Sequence, residues 1–316
     1  MDPDRCLDLS KAELNALLHH LQLGEFDRWK AVWSELGAAE IGRDLWADGT
    51  AADWLWGLAL PLLSSAQAQA SGRRHLIGLS ALPGCGKTTL GQWLEAAAAR
   101  FGISLSVVSI DDFYLEAAAM QQAMAGNPWS VPRALPGSHD LQLMQDRIEA
   151  WKAGQCVDLP KFDKALRNGH GDRCGWRCCD SECLVLEGWF LGCTPLGEGS
   201  TLDSGSEHLN PALNADERDY RRVVQERLHD YKPVWNAIDT LWQLAAPDLN
   251  APVLWKKQQN ETQKNDRGVG LPDQELKGFI RMITASIPAN CFQIDQADVV
   301  ISVDLERRLR QLQVSS

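Results

Sequence analysis

Residues 76–90 read Leu-Ile-Gly-Leu-Ser-Ala-Leu-Pro-Gly-Cys-Gly-Lys-Thr-Thr-Leu, and the order of residue types in this stretch decides the fold. An apolar run, 76–82, enters a turn with two glycines. A segment with Leu90, Trp93, Leu94 and Ala97 at helical spacing follows. The turn, 81–88, matches the Walker A pattern with Ala81 in place of the first glycine. Gly84 and Gly86 let the backbone curl with its N–H groups pointing inward, and those donors plus the helix N-terminus cradle phosphates. Pro83, Cys85 and Thr89 complete the nucleotide-binding loop. Lys87 reaches the β- and γ-phosphates, and the Thr88 hydroxyl ligates Mg²⁺. A chance match in a Gly-rich turn is the competing reading, but the strand–turn–helix setting is what the chemistry requires.

Working outward, Gly102 stops the helix, and 103–110 is a second apolar run rich in β-branched residues. Strand, loop, helix, strand is the opening of a parallel α/β sheet. Further strands are predicted at 183–186, 238–244 and 299–303. Helices are predicted at 141–153, 215–231, 251–264 and 273–287. Residues 197–210 are polar and rich in Gly and Ser, a surface loop. Residues 8–64 read as helical and carry no chemical motif, and 64–74 (SSAQAQASGRR) reads as a linker.

Composition narrows the partners. The 316 residues are 45% hydrophobic, enough for one large α/β domain or a domain with an appendage. A net charge of −11 disfavours nucleic acid and anionic membrane as partners, so an anionic ligand must meet a local positive site. No signal-peptide core follows the N-terminus, and the most apolar stretch, 54–63, contains Pro61 and is too short to span a bilayer. The expectation is a soluble cytoplasmic protein whose nine Cys are reduced thiols.

Two predicted strands end in acids. Asp111-Asp112-Phe113-Tyr114 follows the second strand, and Glu187 closes 184–188 (LVLEG). Carboxylates at the C-terminal ends of parallel strands face the ligand crevice. In phosphoryl transfer one acid takes the acceptor's proton and another holds Mg²⁺ or its waters; helix capping is the plainer use of either. No guanine-reading Asn-Lys-x-Asp segment is present.

Five segments then occur in order: 80–90 (SALPGCGKTTL), 109–115 (SIDDFYL), 136–141 (PGSHDL), 160–173 (PKFDKALRNGHGDR) and 186–192 (LEGWFLG). Together with 255–259 (WKKQQ) and 268–279 (GVGLPDQELKGF), they resemble the P-loop D-glycerate 3-kinases of the plant, fungal and cyanobacterial type. These are relatives of uridine kinase, pantothenate kinase and phosphoribulokinase. The resemblance spans about 75–304. It implies a P-loop kinase domain over 73–316, with a parallel sheet flanked by helices, and an N-terminal helical region over 1–72. It also implies ATP-dependent phosphorylation of D-glycerate to 3-phosphoglycerate, the closing kinase step of the photorespiratory glycolate pathway. Asp111 takes the place of the group's catalytic base and Glu187 that of its metal-side acid, beside Lys87 and Thr88. Asp112, Tyr114, His139, Asp140, Lys164 and Arg173 fall in the acceptor-side motifs. Arg173 suits a carboxylate because a guanidinium grips it bidentately. His139 is otherwise a packed loop histidine, and Lys161 and Arg167 are solvated charges. The chain departs from the family at Lys256, where relatives carry Arg over the phosphates, and at Ala165, which removes a hydroxyl.

Kinase activity on pantothenate, a nucleoside or a sugar phosphate is the alternative within enzymes; a non-catalytic ATP sensor is the alternative outside them. Cys174, Cys178, Cys179 and Cys183 lack the long spacer between ligand pairs of a zinc site; Cys183 already belongs to a predicted strand, and the others read as reduced thiols of a loop. Cys85, at a helix N-terminus, is expected to have a lowered pKa, although a small residue suited to a tight turn is the simpler account.

Overall fold

The computed structural model describes residues 7–315 except 70–71, 198–199, 204–205, 208, 249, 268–271 and 293–295, and except the side chains of 168 and 262–267. The chain opens with α1 (Lys11–His20) and α2 (Phe26–Glu35). A π-helical turn, Trp54–Ala59, runs on into α3 (Leu60–Gln69). β1 (His75–Ala81), α4 (Lys87–Phe101) and β2 (Leu105–Ser109) form the first βαβ unit. After a single 3-10 turn, Ile110–Phe113, come α5 (Ala117–Ala123), α6 (Leu141–Lys152) and a ribbon of β3 (Val157–Asp163) and β4 (Asp172–Cys179). β5 (Cys183–Gly188), α7 (Ala215–Asp230), α8 (Lys232–Ala237) and β6 (Thr240–Ala245) follow. α9 (Ala251–Arg267), α10 (Asp273–Ala285), β7 (Val299–Val303) and β8 (Leu309–Val314) complete the order.

Six strands form one sheet in the order β2-β5-β1-β6-β7-β8, parallel except for β8, which runs antiparallel to β7. β1 is central, and Leu76 to Ala81 are all buried, because its near-continuous apolar run suits a strand covered on both faces. From β1 the chain goes to β2 on one side, and later to β6 and β7 on the other. The C-terminal end of β1 is therefore a topological switch point, the place where open α/β sheets bind ligands. The strands expected from sequence are β1, β2, β5, β6 and β7. The α/β architecture is the expected one.

The structure corrects two local readings. The stretch 64–74 is not a linker through its length, since α3 continues to Gln69 with Ser64, Ser65 and Ala66 buried. The first three of the clustered cysteines are not in a loop, since Cys174, Cys178 and Cys179 lie in β4; Cys183 opens β5, the strand predicted at 183–186. Of the predicted surface loop, 198–199, 204–205 and 208 lie outside the described residues, as do 268–271 of the last family-like segment.

The motif-free N-terminal residues share one hydrophobic cluster with the sheet and its helices. Leu14, Leu17, Leu58, Leu62 and Leu63 are buried in it, each contributing roughly 1.5–3 kcal/mol relative to exposure. Polar contacts fix the fit. Leu312 N–H of β8 donates to Glu13 Oε1 at 3.0 Å, Trp93 Nε1 donates to Ile41 O at 2.8 Å, and buried Asp53 accepts from the N–H groups of Asp8 and Leu9 at 3.0 and 2.8 Å. Among the described residues no helix is long and apolar enough to cross a membrane.

Candidate active site

The turn between β1 and α4 needs its glycines for two reasons. Gly84 and Gly86 sit at φ of +85° and +118°, which side chains adopt only with strain. They are also crowded: a Cβ on Gly84 would lie 2.7 Å from Trp255 Cβ, and one on Gly86 would lie 3.3 Å from the Trp54 ring. The π-helical turn and the start of α9 thus press on the phosphate loop from two sides. Trp54 Nε1 donates to Arg307 O at 2.7 Å, Arg307 Nε donates to Gly84 O at 2.8 Å, and the Arg307 guanidinium lies 5.4 Å over the Trp255 ring. Lys87 Nζ donates to Ala81 O at 2.6 Å. Cys85 is not an activated thiol: burial pushes it up to about 11, against the expectation from its helix-terminal position.

A cavity of about 1800 Å³ opens in front of this loop, roomier than the roughly 300–1,000 Å³ of a single small-ligand pocket. All the predicted phosphate-loop residues, Pro83 to Thr89, line it, as do Asp111, Tyr114, Lys164, Glu187 and Lys256. Asp112, His139, Asp140 and Arg173 do not. Asp112 is the cap: its carboxylate accepts from Ser109 N–H and Phe162 N–H, both at 3.2 Å, pinning the ribbon to the 3-10 turn. Asp140 caps α6 through Leu143 N–H at 3.1 Å. Arg173 is occupied by Glu116 at 3.0 Å and Asp140 at 3.4 Å and lies 5.2 Å over Trp176. His139 is buried behind Asp111, because Tyr114 and His139 form an antiparallel bridge and Asp140 N–H donates to Phe113 O at 2.7 Å.

The cavity carries opposed charge. Asp111 Oδ2 meets Lys164 Nζ at 2.6 Å. Burial alone would raise the Asp111 carboxyl, but the Lys164 ammonium and the His139 ring together outweigh it and hold the group well below the usual carboxylate range. Glu187 is pushed up, chiefly by burial and also by the negative charge of Asp111, with Lys87 opposing. Lys256 is pushed down to about 8 by burial and by the positive charges of Lys164 and Lys87. Two like-charged carboxylates, with the Thr88 and Ser109 hydroxyls on the same wall, are a hard-oxygen donor set that suits a small divalent cation. Among the described residues no three His, Cys, Asp or Glu side chains group as a closed metal site.

Sequence reasoning missed three cations. Arg133 lines the cavity, its guanidinium anchored by donation to Gly169 O at 2.6 Å and His170 O at 3.1 Å. Arg167 also lines the cavity and is not simply a solvated charge. Arg307 comes from the β7–β8 turn. Arg133 precedes the Pro-Gly-Ser-His-Asp segment by only three residues, which was the one available signal; nothing in the sequence pairs Arg307 with the loop.

A phosphate loop at the switch point, with acids and cations lining the same cavity, is the arrangement of a P-loop kinase. The comparisons narrow this. No protein-family model matches the chain. It is 28% identical over 231 residues to an uncharacterized kinase of Schizosaccharomyces pombe, covering 68% of this chain and 80% of that one. It is 29% identical over 218 residues to the chloroplastic D-glycerate 3-kinase of Arabidopsis thaliana, covering 65% of this chain but only 45% of that protein. In fold it is similar to the D-glycerate 3-kinase of Cryptococcus neoformans, with a TM-score of 0.67, 22% identity, and coverage of 82% of this chain and 97% of that one. The chain is thus similar in sequence to kinases, one of them named a D-glycerate 3-kinase, and similar in fold to another protein of that name.

Proposed function

We propose that this protein transfers the γ-phosphoryl group of Mg-ATP to D-glycerate, giving ADP and 3-phosphoglycerate. The observation that carries the reading is one cavity lined by the phosphate loop, by an acid paired with Lys164, and by two further cations, Arg133 and Arg167. A small acceptor that is itself a carboxylate fits that balance. Arg133 replaces Arg173 as the carboxylate anchor, since Arg173 is paired with Glu116 and Asp140 while Arg133 lines the cavity.

In this scheme the loop N–H groups, Lys87 and Lys256 hold the triphosphate. Thr88 and Glu187 would hold Mg²⁺, which would supply neutralisation of the negative charge of the triphosphate. The acceptor's terminal hydroxyl oxygen bonds to the γ-phosphorus as the bond from phosphorus to the β–γ bridging oxygen breaks. The hydroxyl proton passes to Asp111. An acid held well below its usual range is a weak base, but a loose transition state releases the proton late, so orientation outweighs basicity. The reading is tested by following ADP with D-glycerate, glycerol, uridine and pantothenate as acceptors. Turnover with D-glycerate and not with glycerol supports it; turnover only with uridine or pantothenate overturns it.

A further inference from the structure

Behind Asp111 lies a chain of polar atoms that the transfer scheme leaves unused. His139 is 4% exposed, and its ring stacks on Tyr114 with centroids 4.7 Å apart. Its Nδ1 lies 2.6 Å from the Tyr231 hydroxyl. Its Nε2 is buried with no hydrogen-bond partner and lies 4.0 Å from Asp111 Oδ1. Tyr231, fully buried at the junction of α7 and α8, also receives the N–H of Gly137 on its hydroxyl oxygen at 2.9 Å.

Counting protons settles the directions. The phenol has one proton, and burial pushes its pKa up, so it keeps it. Gly137 N–H uses the acceptor side of that oxygen, and the phenol proton therefore points to Nδ1. Ser138 Oγ, 3.4 Å from Nδ1, has no proton to offer, having given its own to Leu135 O at 2.6 Å. Burial pushes His139 down toward the neutral form, with Asp111 opposing. A neutral imidazole whose Nδ1 accepts carries its proton on Nε2, the atom that faces Asp111.

We infer that Tyr231 is a positioning residue for the transfer: it fixes the His139 tautomer whose Nε2–H holds Asp111 Oδ1 toward the acceptor. Oδ2 of the same carboxylate is held by Lys164. When Lys164 turns to an anionic acceptor, the short move that brings Oδ1 onto Nε2–H gives the buried nitrogen its missing partner and keeps the carboxylate aimed. His139 acts from behind the cavity wall and does not need to touch the acceptor. This inference rests on Asp111 being the acceptor-facing base.

Two measurements on the full chain test it. ¹⁵N NMR of the labelled protein, with the His139 signals assigned by their loss in His139→Gln, reads the tautomer without reference to activity. The expected result is a protonated Nε2 and a bare Nδ1, shifting toward protonated Nδ1 in Tyr231→Phe. A protonated Nδ1 in the wild-type protein overturns the inference. In steady-state kinetics, Tyr231→Phe lowers kcat about tenfold and leaves KM for ATP unchanged. It has no further effect on top of His139→Gln, whose amide N–H₂ can take the place of Nε2–H. A wild-type kcat for Tyr231→Phe, or effects of the two substitutions that simply multiply, overturns it as well. Full activity of Asp111→Asn would instead remove the base assignment, and the NMR result would still stand by itself as a statement about the tautomer.

Discussion

Replacing Lys256 with arginine isolates a proton-linked step in nucleotide binding. Lys256 sits half-buried at the start of α9, its ammonium 2.9 Å from Gln259 Oε1 and 4.9 Å over the Phe279 ring. Burial, then repulsion from Lys164 and Lys87, depresses it to about 8. A bound triphosphate cancels the repulsion and favours the charged form, so its pKa must rise on binding and the complex must take up a proton. If it returns to the ordinary ~10.4 from a starting value of about 8, uptake is ~0.1 proton at pH 7, ~0.5 at pH 8 and ~0.9 at pH 9. The γ-phosphate is already ionised at pH 8–9 and contributes little there. Isothermal titration of Mg-ATP in buffers of different ionisation enthalpy gives the number directly. Lys256→Arg, charged throughout, should show almost none and should restore the residue expected in relatives. Buffer-independent heats at pH 9 for the wild-type protein, or equal uptake in the arginine variant, would refute the reasoning.

Lys87→Ala should abolish acceptor-dependent ADP formation in a coupled assay while the thermal melt of the free protein stays close to wild type. Gly84→Ala places a methyl 2.7 Å from Trp255 Cβ at a φ of +85°, and a loss of about 1–3 kcal/mol in denaturant unfolding, with weaker ATP binding, is expected. Arg133→Ala should raise KM for D-glycerate at least tenfold and leave KM for ATP within about twofold, because a charge-assisted bidentate contact is worth roughly 1.5–3 kcal/mol. Cys85, buried and raised to about 11, should stay unalkylated by iodoacetamide at pH 8 while the exposed Cys174 and Cys178 react, as peptide mass mapping will show. A chain lacking 1–72 should fail to give a cooperative melt, since it strips the leucines that cover the sheet from one side.

Much of this was legible because local chemistry dictated it. The phosphate loop and the five parallel strands announce themselves through glycines at a strand end and through β-branched runs, and the structure has both where the residues put them. Asp111 and Glu187 were legible for the same reason: strand ends point into the crevice whatever the tertiary detail. What failed was tertiary competition. Arg173 looks like an anion anchor until Glu116 and Asp140 are seen to claim it. Asp112 is indistinguishable from Asp111 in sequence, and only the approach of Phe162 N–H makes one the cap and the other the acid. The ribbon of β3 and β4 was missed because Pro160, Gly175 and many charges break its alternation. Cys85 was read from the helix terminus beside it, but desolvation in the core dominates. Residues 44–51 and Trp54 reach the cavity only through the fold, so no motif marks them.

The central claim is that the acceptor is D-glycerate and that its terminal hydroxyl is phosphorylated. Purified protein with Mg-ATP and D-glycerate, followed by ³¹P NMR, tests it most directly. The account predicts ADP and 3-phosphoglycerate in equal amounts, with neither formed by Lys87→Ala. Formation of 2-phosphoglycerate, or no phosphoester of glycerate beside a working kinase reaction on another acceptor, would contradict it.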